Sequence, residues 1–235
     1  MPTKLSDTNP PTTTKESQEG RSRATVLLAL IAVVGMAGYL LNLAALHFVR
    51  PDVNPVLEPI SNYAVGPYGF LFTAASIGIG LAALALMVGL YLGIAPRTRS
   101  YVGLFFLGLY GVSELLAALF PIDVGVEVTT SGTIHNIVGN VSFFGFPISV
   151  ILLSLGMGKD ERWRSLRLPA LALAGVVVLT VVLTMVGFNL GIGFGLTQRL
   201  ANVAVLVWML VVALRLRSMA QSALALQRRA VRTMR

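Results

Sequence analysis

The sequence predicts an all-α integral membrane protein, a bundle of six transmembrane helices with both termini in the cytoplasm. Its residues are 55% hydrophobic and only 12% charged, whereas about 25% of residues are charged in soluble domains. Its mean hydropathy is +0.79. The apolar residues form long runs, and roughly 20 helical residues span the roughly 30 Å hydrocarbon layer of a bilayer. A water-soluble fold is therefore excluded.

Prolines, glycines and charged loops separate the apolar runs and set the expected helix bounds. These bounds are 24–48, 68–94, 101–120, 133–157, 168–188 and 196–216. Residues 24–217 then form one transmembrane domain. The polar segment 1–23 is expected to be a disordered cytoplasmic tail. The basic segment 218–235 is expected to be a cytoplasmic tail that either lies along the inner leaflet as a helix or is disordered. The late start and the length of the first apolar run favour a retained helix over a cleaved signal.

The distribution of Lys and Arg sets the expected orientation. Sixteen of the 18 lie in the two tails and in the second and fourth loops, and only Arg50 and Arg199 lie on the other side. Cytoplasmic segments carry such an excess of Lys and Arg, so an even number of helices with both termini inside is predicted. The formal charge of +8 is thereby explained as a topology signal and as contacts to anionic headgroups. We expect membrane lipids as partners and no nucleic acid.

The polar side chains of the membrane domain gather toward the expected outer half of the bundle. Both histidines of the chain belong to this group. Polar side chains inside a membrane are costly and mark functional or structural contacts. The residues that we take as candidates for a polar cavity are His47, Arg50, Ser61, Tyr63, Glu114, Asp123, His135, Asn136 and Arg199.

Glu114 is the most informative of these residues. It lies six residues before Phe120, which places it about 9 Å below the outer end of the third helix. A charge there costs roughly 2.5–3.5 kcal/mol if it faces lipid, so we expect it to face inward, with Arg199 or His135 as its partner. Three interpretations stay open: a structural ion pair that locks helices three, four and six, a ligand site, or a proton relay.

Two further segments carry polar groups. The loop at 50–69 contains four prolines, which exclude a continuous helix. We expect it to fold back over the outer mouth of the bundle as a plug; the alternative is an exposed loop. Asn136 and Asn140 form a stripe beside His135 on the fourth helix, and such a stripe can instead serve only interhelical hydrogen bonds.

Five short motifs resemble a known family. They are His47 through Pro51, "ISNYAVGPYG" at 60–69, "LFPIDVG" at 119–125, "SGTIHNIVG" at 131–139 and "GLTQRL" at 195–200. In order and spacing they resemble the prokaryotic membrane proteins of the domain of unknown function 998, and there is a fainter similarity to six-helix proteins of the DRAM type. The resemblance implies a six-helix bundle in a prokaryotic plasma membrane, and it implies no activity.

Three functions remain open from the sequence. The first is binding of a lipid or small amphiphile in an outer cavity, since helix-lined polar cavities suit such ligands. The second is an intramembrane lipid hydrolase that holds a metal through His47, Asp123 and His135, with Ser61 or Glu114 assisting. Catalytic zinc needs three protein ligands, and the chain has only two histidines and no cysteine. The third is a small-molecule transporter. We favour the first, and we expect no cofactor, no resident metal and no catalysis; the oligomeric state stays open.

Overall fold

A computed structural model describes residues 12–233, and between them the chain is all α-helical and has no strand. We number the six long helices in chain order. They are α1 (Thr12–Val49), α2 (Gly69–Gly93), α3 (Tyr101–Leu119), α4 (Thr130–Met157), α5 (Arg167–Leu190) and α6 (Phe194–Thr233). Three short 3-10 helices lie in the connections, at Ile60–Ala64, Pro96–Thr98 and Arg164–Leu166.

All six helices of the described region are long and apolar enough to cross a membrane, which confirms the predicted number of spans. The first and last differ from expectation. α1 begins at Thr12 and α6 continues to Thr233, so residues 12–23 and 218–233 are helical extensions of the end helices. The expected disorder at 12–23 is therefore not observed; the expected tails at 1–11 and 234–235 lie outside the described residues.

The two end helices are much longer than a bilayer requires. α1 has 38 residues and α6 has 40, which correspond to about 57 and 60 Å at 1.5 Å per residue. A hydrocarbon layer of roughly 30 Å leaves both projecting beyond it at one end. We call the end that carries both projections the proximal end, and the opposite end the distal end.

The core of the bundle combines large aromatic side chains with close backbone contacts. Trp208 on α6 and Phe146 on α4 are fully buried, and their rings meet edge to face at 6.1 Å. Gly35 on α1 and Gly78 on α2 face each other so closely that a Cβ on Gly35 would overlap the carbonyl oxygen of Gly78. Small residues allow such approach between membrane helices, which fixes α1 against α2.

Residues 50–68 form the distal connection between α1 and α2, which we call the cap loop. Its four prolines interrupt regular helix, and only Ile60–Ala64 makes a short 3-10 helix. Arg50, which is buried, fixes the loop: its guanidinium donates to the Asp52 carboxylate and to the carbonyl oxygens of Val65 and Pro67, at 2.8 and 3.0 Å. The bond to Arg50 lowers the pKa of Asp52.

The cap loop also bonds to the first turns of α6. The Ile60 amide donates to Gln198 Oε1 at 2.8 Å, and the Leu196 amide donates to the Val56 carbonyl at 3.1 Å. At Gly195 a Cβ would overlap the carbonyl of Glu58, so the loop lies directly on the α6 backbone. The predicted fold-back over the distal end is confirmed.

Candidate functional site

A cavity of about 140 Å³ lies beneath the cap loop, in the distal half of the bundle. All six helices and the cap loop contribute to its wall. Its polar lining consists of Tyr39, Ser61, Ser76, Tyr110, Glu114, His135, Ser142, Gln198 and Asn202. The rest of its lining consists of Ile60, Phe72, Ala117, Gly139, Phe143, Phe146, Pro147, Val177, Val181, Ala201 and Val205. We call this space the distal cavity.

Glu114 faces this cavity from α3. Its carboxylate accepts one hydrogen bond, from Ser142 Oγ on α4 at 3.2 Å. Within the described part of the chain, no Lys, Arg or His nitrogen lies within 4 Å of it. The expectation that Glu114 faces inward is met. The expected pairing with Arg199 or His135 is wrong, because Arg199 is engaged by the cap loop and His135 by the end of α3.

His135 enters the cavity from the first turns of α4 and is buried. Its Nδ1 lies 2.8 Å from the carbonyl oxygen of Phe120, the residue that follows α3. A carbonyl can only accept, so Nδ1 carries the proton, and in a neutral ring Nε2 is then an acceptor. His135 therefore joins α3 to α4 while it offers the cavity a second polar group beside Glu114.

A chain of hydrogen bonds closes the cavity between α1, α6 and the cap loop. The Tyr39 hydroxyl donates to Asn202 Oδ1 at 3.0 Å, and Asn202 Nδ2 donates to the Gln198 carbonyl at 3.0 Å. The Gln198 side chain in turn holds the amide of Ile60. Tyr39 and Ser142 are absent from the residues that the sequence singled out for this cavity. For Tyr39 the signal was present, since it is the only polar side chain in the apolar run 26–41.

Arg199 belongs to a second polar cluster, which it forms with His47 and Tyr63 above the cavity. Arg199 Nε donates to His47 Nε2 at 3.0 Å, and Nη1 donates to the Glu58 carbonyl at 2.9 Å. Its guanidinium carbon lies 5.8 Å from the centroid of the Tyr63 ring. His47 Nδ1 lies 2.7 Å from the Leu43 carbonyl, which requires a proton on Nδ1 and leaves Nε2 as the acceptor.

This cluster has unused hydrogen-bonding capacity. Within residues 12–233 the Tyr63 hydroxyl and Arg199 Nη2 are buried and have no partner. Buried polar atoms are nearly always bonded to protein or water, so a water molecule or a ligand atom would be stabilised there. The cluster borders the distal cavity through Gln198, the residue before Arg199, but none of its three side chains lines that cavity.

The remaining candidates, Arg50, Asp123 and Asn136, do not line the distal cavity. Asp123 accepts from the Thr129 amide and hydroxyl, at 2.8 and 2.7 Å, and Thr129 caps α4; these bonds lower the pKa of Asp123. Asn136 is exposed on the outer face of α4. Of the candidates, the structure gathers Ser61, Glu114 and His135 around the cavity, and it places Arg50 in the cap loop.

The three residues considered for a metal are not brought together. His47 contacts Arg199, Asp123 bonds to Thr129, the cap of α4, and His135 contacts the end of α3. Across the described residues, no group of three His, Cys, Asp or Glu side chains is arranged to hold a metal ion.

A family model matches most of the membrane domain. The model is described as "Protein of unknown function (DUF998)" and it matches residues 32–215. That range contains all the residues that line the distal cavity. No curated protein and no solved structure matches the chain significantly.

Proposed function

The chain belongs to the DUF998 family of proteins of unknown function, and from this premise we propose that it binds a small amphiphile in the distal cavity. One observation carries the proposal: a carboxyl that has no cationic partner among residues 12–233 faces a cavity with a mostly apolar wall, at the depth of the transmembrane helices. An ionisable group in that position is costly. A polar ligand head that bonds to Glu114 would offset the cost.

The lining of the cavity defines the chemistry of the head group. No Lys or Arg of the described region lines it, whereas Glu114 and the hydroxyl of Ser142 do. Tyr39, Tyr110 and Phe146 add aromatic rings around the same space, and aromatic faces attract cations. The complementary head is a hydrogen-bond donor, such as an ammonium or a hydroxyl group. A phosphate or carboxylate head would meet the Glu114 carboxyl unfavourably.

The size of the cavity limits the head group to a few heavy atoms. Its volume is about 140 Å³, and an engineered apolar cavity of about 150 Å³ in another protein holds benzene. A longer tail needs a second space. An apolar groove of about 300 Å³ runs along the outside between α4 and α5, and it shares Pro147 and Val181 with the cavity wall.

That groove supports a lateral route from the bilayer. Phe144, Val182 and Val186 along it are exposed, so their natural surroundings are lipid tails. Pro147 cannot bond to the carbonyl of residue 143 and so weakens α4 at the shared wall. The tail of the amphiphile would lie in the groove while its head reaches Glu114.

The glycines of α4 and α5 provide a matched test. Gly139 lines the cavity and a Cβ there meets nothing within 4 Å, so Gly139→Phe fills the cavity without a backbone clash. Gly175 on α5 is equally open but is exposed and does not line the cavity, which makes Gly175→Phe the control. Protein purified in mild detergent is analysed by native mass spectrometry and by small-molecule analysis of the denatured sample.

The proposal predicts a low-mass amphiphile in the wild type and in Gly175→Phe, and its loss from Gly139→Phe. Glu114→Gln should retain less of it than the wild type if the head is an amine. The same bound species at equal occupancy in all four proteins, or none in any, would contradict the proposal.

A further inference from the structure

A second and larger opening lies at the proximal end, far from the distal cavity. It has a volume of about 660 Å³ and lies between the projecting parts of α1 and α6, the end of α2 and the connection between α4 and α5. We call it the proximal cleft. The cleft lies level with the last turn of α2, from which Leu92 and Gly93 line it. Since α2 is long and apolar enough to cross a membrane and ends there, we expect the cleft to lie at the boundary between the membrane and water.

The cleft is strongly cationic. Arg21 on α1, Arg162 on the α4–α5 connection and Arg215 on α6 all line it, and no Asp or Glu of the part of the chain that the structure describes is among its lining residues. Asp160 bonds to Arg162 at 2.7 Å and neutralises that one charge. Glu19, which pairs with Arg23, does not line the cleft. Two of the three arginines therefore face the cleft without a carboxylate bonded to them in the described part of the chain.

Backbone carbonyls hold these arginines in place without removing their charge. Arg21 donates from Nε and Nη2 to the Leu92 carbonyl, at 2.9 and 2.6 Å. Arg162 Nη2 donates to the Gly93 carbonyl at 3.2 Å, and Arg215 Nη2 donates to the Arg162 carbonyl. The acceptors from α2 lie at its C-terminus, where the helix dipole favours cations. Three guanidinium groups from three separate elements are thus preorganised around one space.

Free donors and apolar surface complete the cleft. Within residues 12–233, Arg215 Nε is buried and has no partner. Ser22 and Ser218 supply hydroxyl groups along the walls, and Leu226 and Met219 supply apolar surface. Guanidinium groups bind phosphate oxygens with paired, charge-assisted hydrogen bonds. Basic clefts between membrane helices at the interface suit the head groups of anionic lipids.

We propose that the proximal cleft is a binding site for a phosphate group, carried by an anionic phospholipid or by free phosphate, held by Arg21, Arg162 and Arg215. The site is independent of the distal cavity and of the function proposed for it. A phospholipid would place its phosphate among the arginines and its acyl chains against the apolar wall and the neighbouring bilayer.

Two pairs of variants test the site, and the two members of each pair have the same net charge. Ala223 lines the cleft, whereas Ala225, two residues further along α6, is exposed and does not. Ala223→Glu places an acid in the cleft without removing an arginine, and Ala225→Glu is its control. Arg215→Gln removes one cation, with Arg97→Gln, an exposed arginine of the same end of the bundle, as its control.

Native mass spectrometry of the detergent-purified protein is carried out with phosphatidylglycerol, with phosphatidylcholine or with inorganic phosphate alone. We expect adducts of phosphatidylglycerol in excess over phosphatidylcholine. We also expect about fivefold weaker binding in Ala223→Glu and Arg215→Gln, the order of effect of one arginine near an anionic surface, and no change in the two controls. Retention of free phosphate without preference for the anionic lipid would identify a soluble phosphate as the ligand. Equal losses in each variant and its control would overturn the proposal. It would also be overturned if phosphatidylglycerol showed no excess over phosphatidylcholine and inorganic phosphate were not retained.

Discussion

Glu114 accepts a hydrogen bond from the Ser142 hydroxyl on the neighbouring helix, and that bond joins α3 to α4 inside the distal cavity. Ser142 is buried. Removal of one partner leaves a buried polar group unsatisfied, which costs about 1–3 kcal/mol.

Ser142→Ala is therefore expected to lower the free energy of unfolding by about 1–3 kcal/mol. Thermal or denaturant unfolding in detergent measures this change. Ser222→Ala is the control, since the exposed Ser222 hydroxyl bonds only within its own helix, to the Ser218 carbonyl. Equal stability of the two variants would show that the bond to Glu114 contributes nothing.

Gly132 and Gly139 on α4 differ in what surrounds them. A Cβ at Gly132 would overlap the Asp123 carboxylate, which holds the cap of α4, whereas a Cβ at Gly139 meets nothing within 4 Å. Gly132→Ala is expected to destabilise the protein, and Gly139→Ala to stabilise it by up to about 1 kcal/mol through helix propensity. The unfolding midpoint should therefore fall in Gly132→Ala and rise in Gly139→Ala. A rise of the midpoint in both variants would contradict the contact with Asp123.

At the residue scale, the sequence predicted which way Glu114 faces but not what it bonds to. The cost of a charge in lipid requires an inward carboxyl, whatever its neighbours. Its partner depends on helix rotation and loop placement, which no spacing in the sequence reveals. Arg199 instead bonds to the Glu58 carbonyl of the cap loop and to His47 of α1.

Two connections at the proximal end are joined by one carboxylate. Asp160 accepts from Arg162 Nη2 at 2.7 Å and from the Ala95 amide, which follows α2, at 3.3 Å. The Asp160 side chain is only 6% exposed. The bond to Arg162 is the main reason why the pKa of Asp160 lies below its usual value.

Asp160→Asn is expected to lower the free energy of unfolding at pH 7 by about 1–2 kcal/mol. Because the folded-state pKa is depressed, the stabilisation is complete above the unfolded value of about 3.9 and is lost as the pH falls through the folded value. The difference in the free energy of unfolding between the wild type and Asp160→Asn should thus shrink below about pH 4. Unfolding curves at pH 7 and pH 3 measure it; a difference that grows in acid would contradict this role.

At the element scale, apolar length predicted the six spans but not where the end helices stop. Hydropathy falls after Leu216, yet the following residues are rich in Ala, Gln, Leu and Arg, which are strong helix formers. α6 therefore continues to Thr233. The short 3-10 helix Ile60–Ala64 could not be predicted from the sequence either. Its first amide, that of Ile60, bonds to the side chain of Gln198, which lies more than 130 positions further along the chain.

At the scale of the whole molecule, the number of spans and the segregation of Lys and Arg are mutually consistent. Orientation is a prediction that chemical labelling can test directly, because the chain contains no cysteine. Val126 in the distal loop is 99% exposed, and Gly20 on the proximal part of α1 is exposed with no atom within 4 Å of a Cβ.

In intact cells, a membrane-impermeant thiol reagent is expected to label Val126→Cys, and to label Gly20→Cys only after the membrane is permeabilised. The reason is the excess of Lys and Arg at the proximal end, which the positive-inside rule assigns to the cytoplasm. The reverse pattern would invert the topology and place the distal cavity in the inner half of the bilayer.

The cavity itself could be anticipated only in outline. Polar residues at corresponding depths of several helices indicated a shared polar space, and Ser61, Glu114 and His135 do line it. Whether Arg50, Asp123 and Asn136 would join them depended on loop geometry and on helix rotation, and those two properties arise from packing over the whole bundle.

The central claim is that an accessible polar cavity surrounds Glu114 inside the bundle, and alkylation of a single cysteine tests it most directly. Ser142→Cys places a thiol in the cavity wall, while Ser154→Cys places one in the fully buried core beside Trp208. A small uncharged maleimide should react with Ser142→Cys but not with Ser154→Cys, and adding Gly139→Phe should block the reaction. Absence of reaction at position 142, or a rate there that Gly139→Phe leaves unchanged, would contradict the cavity.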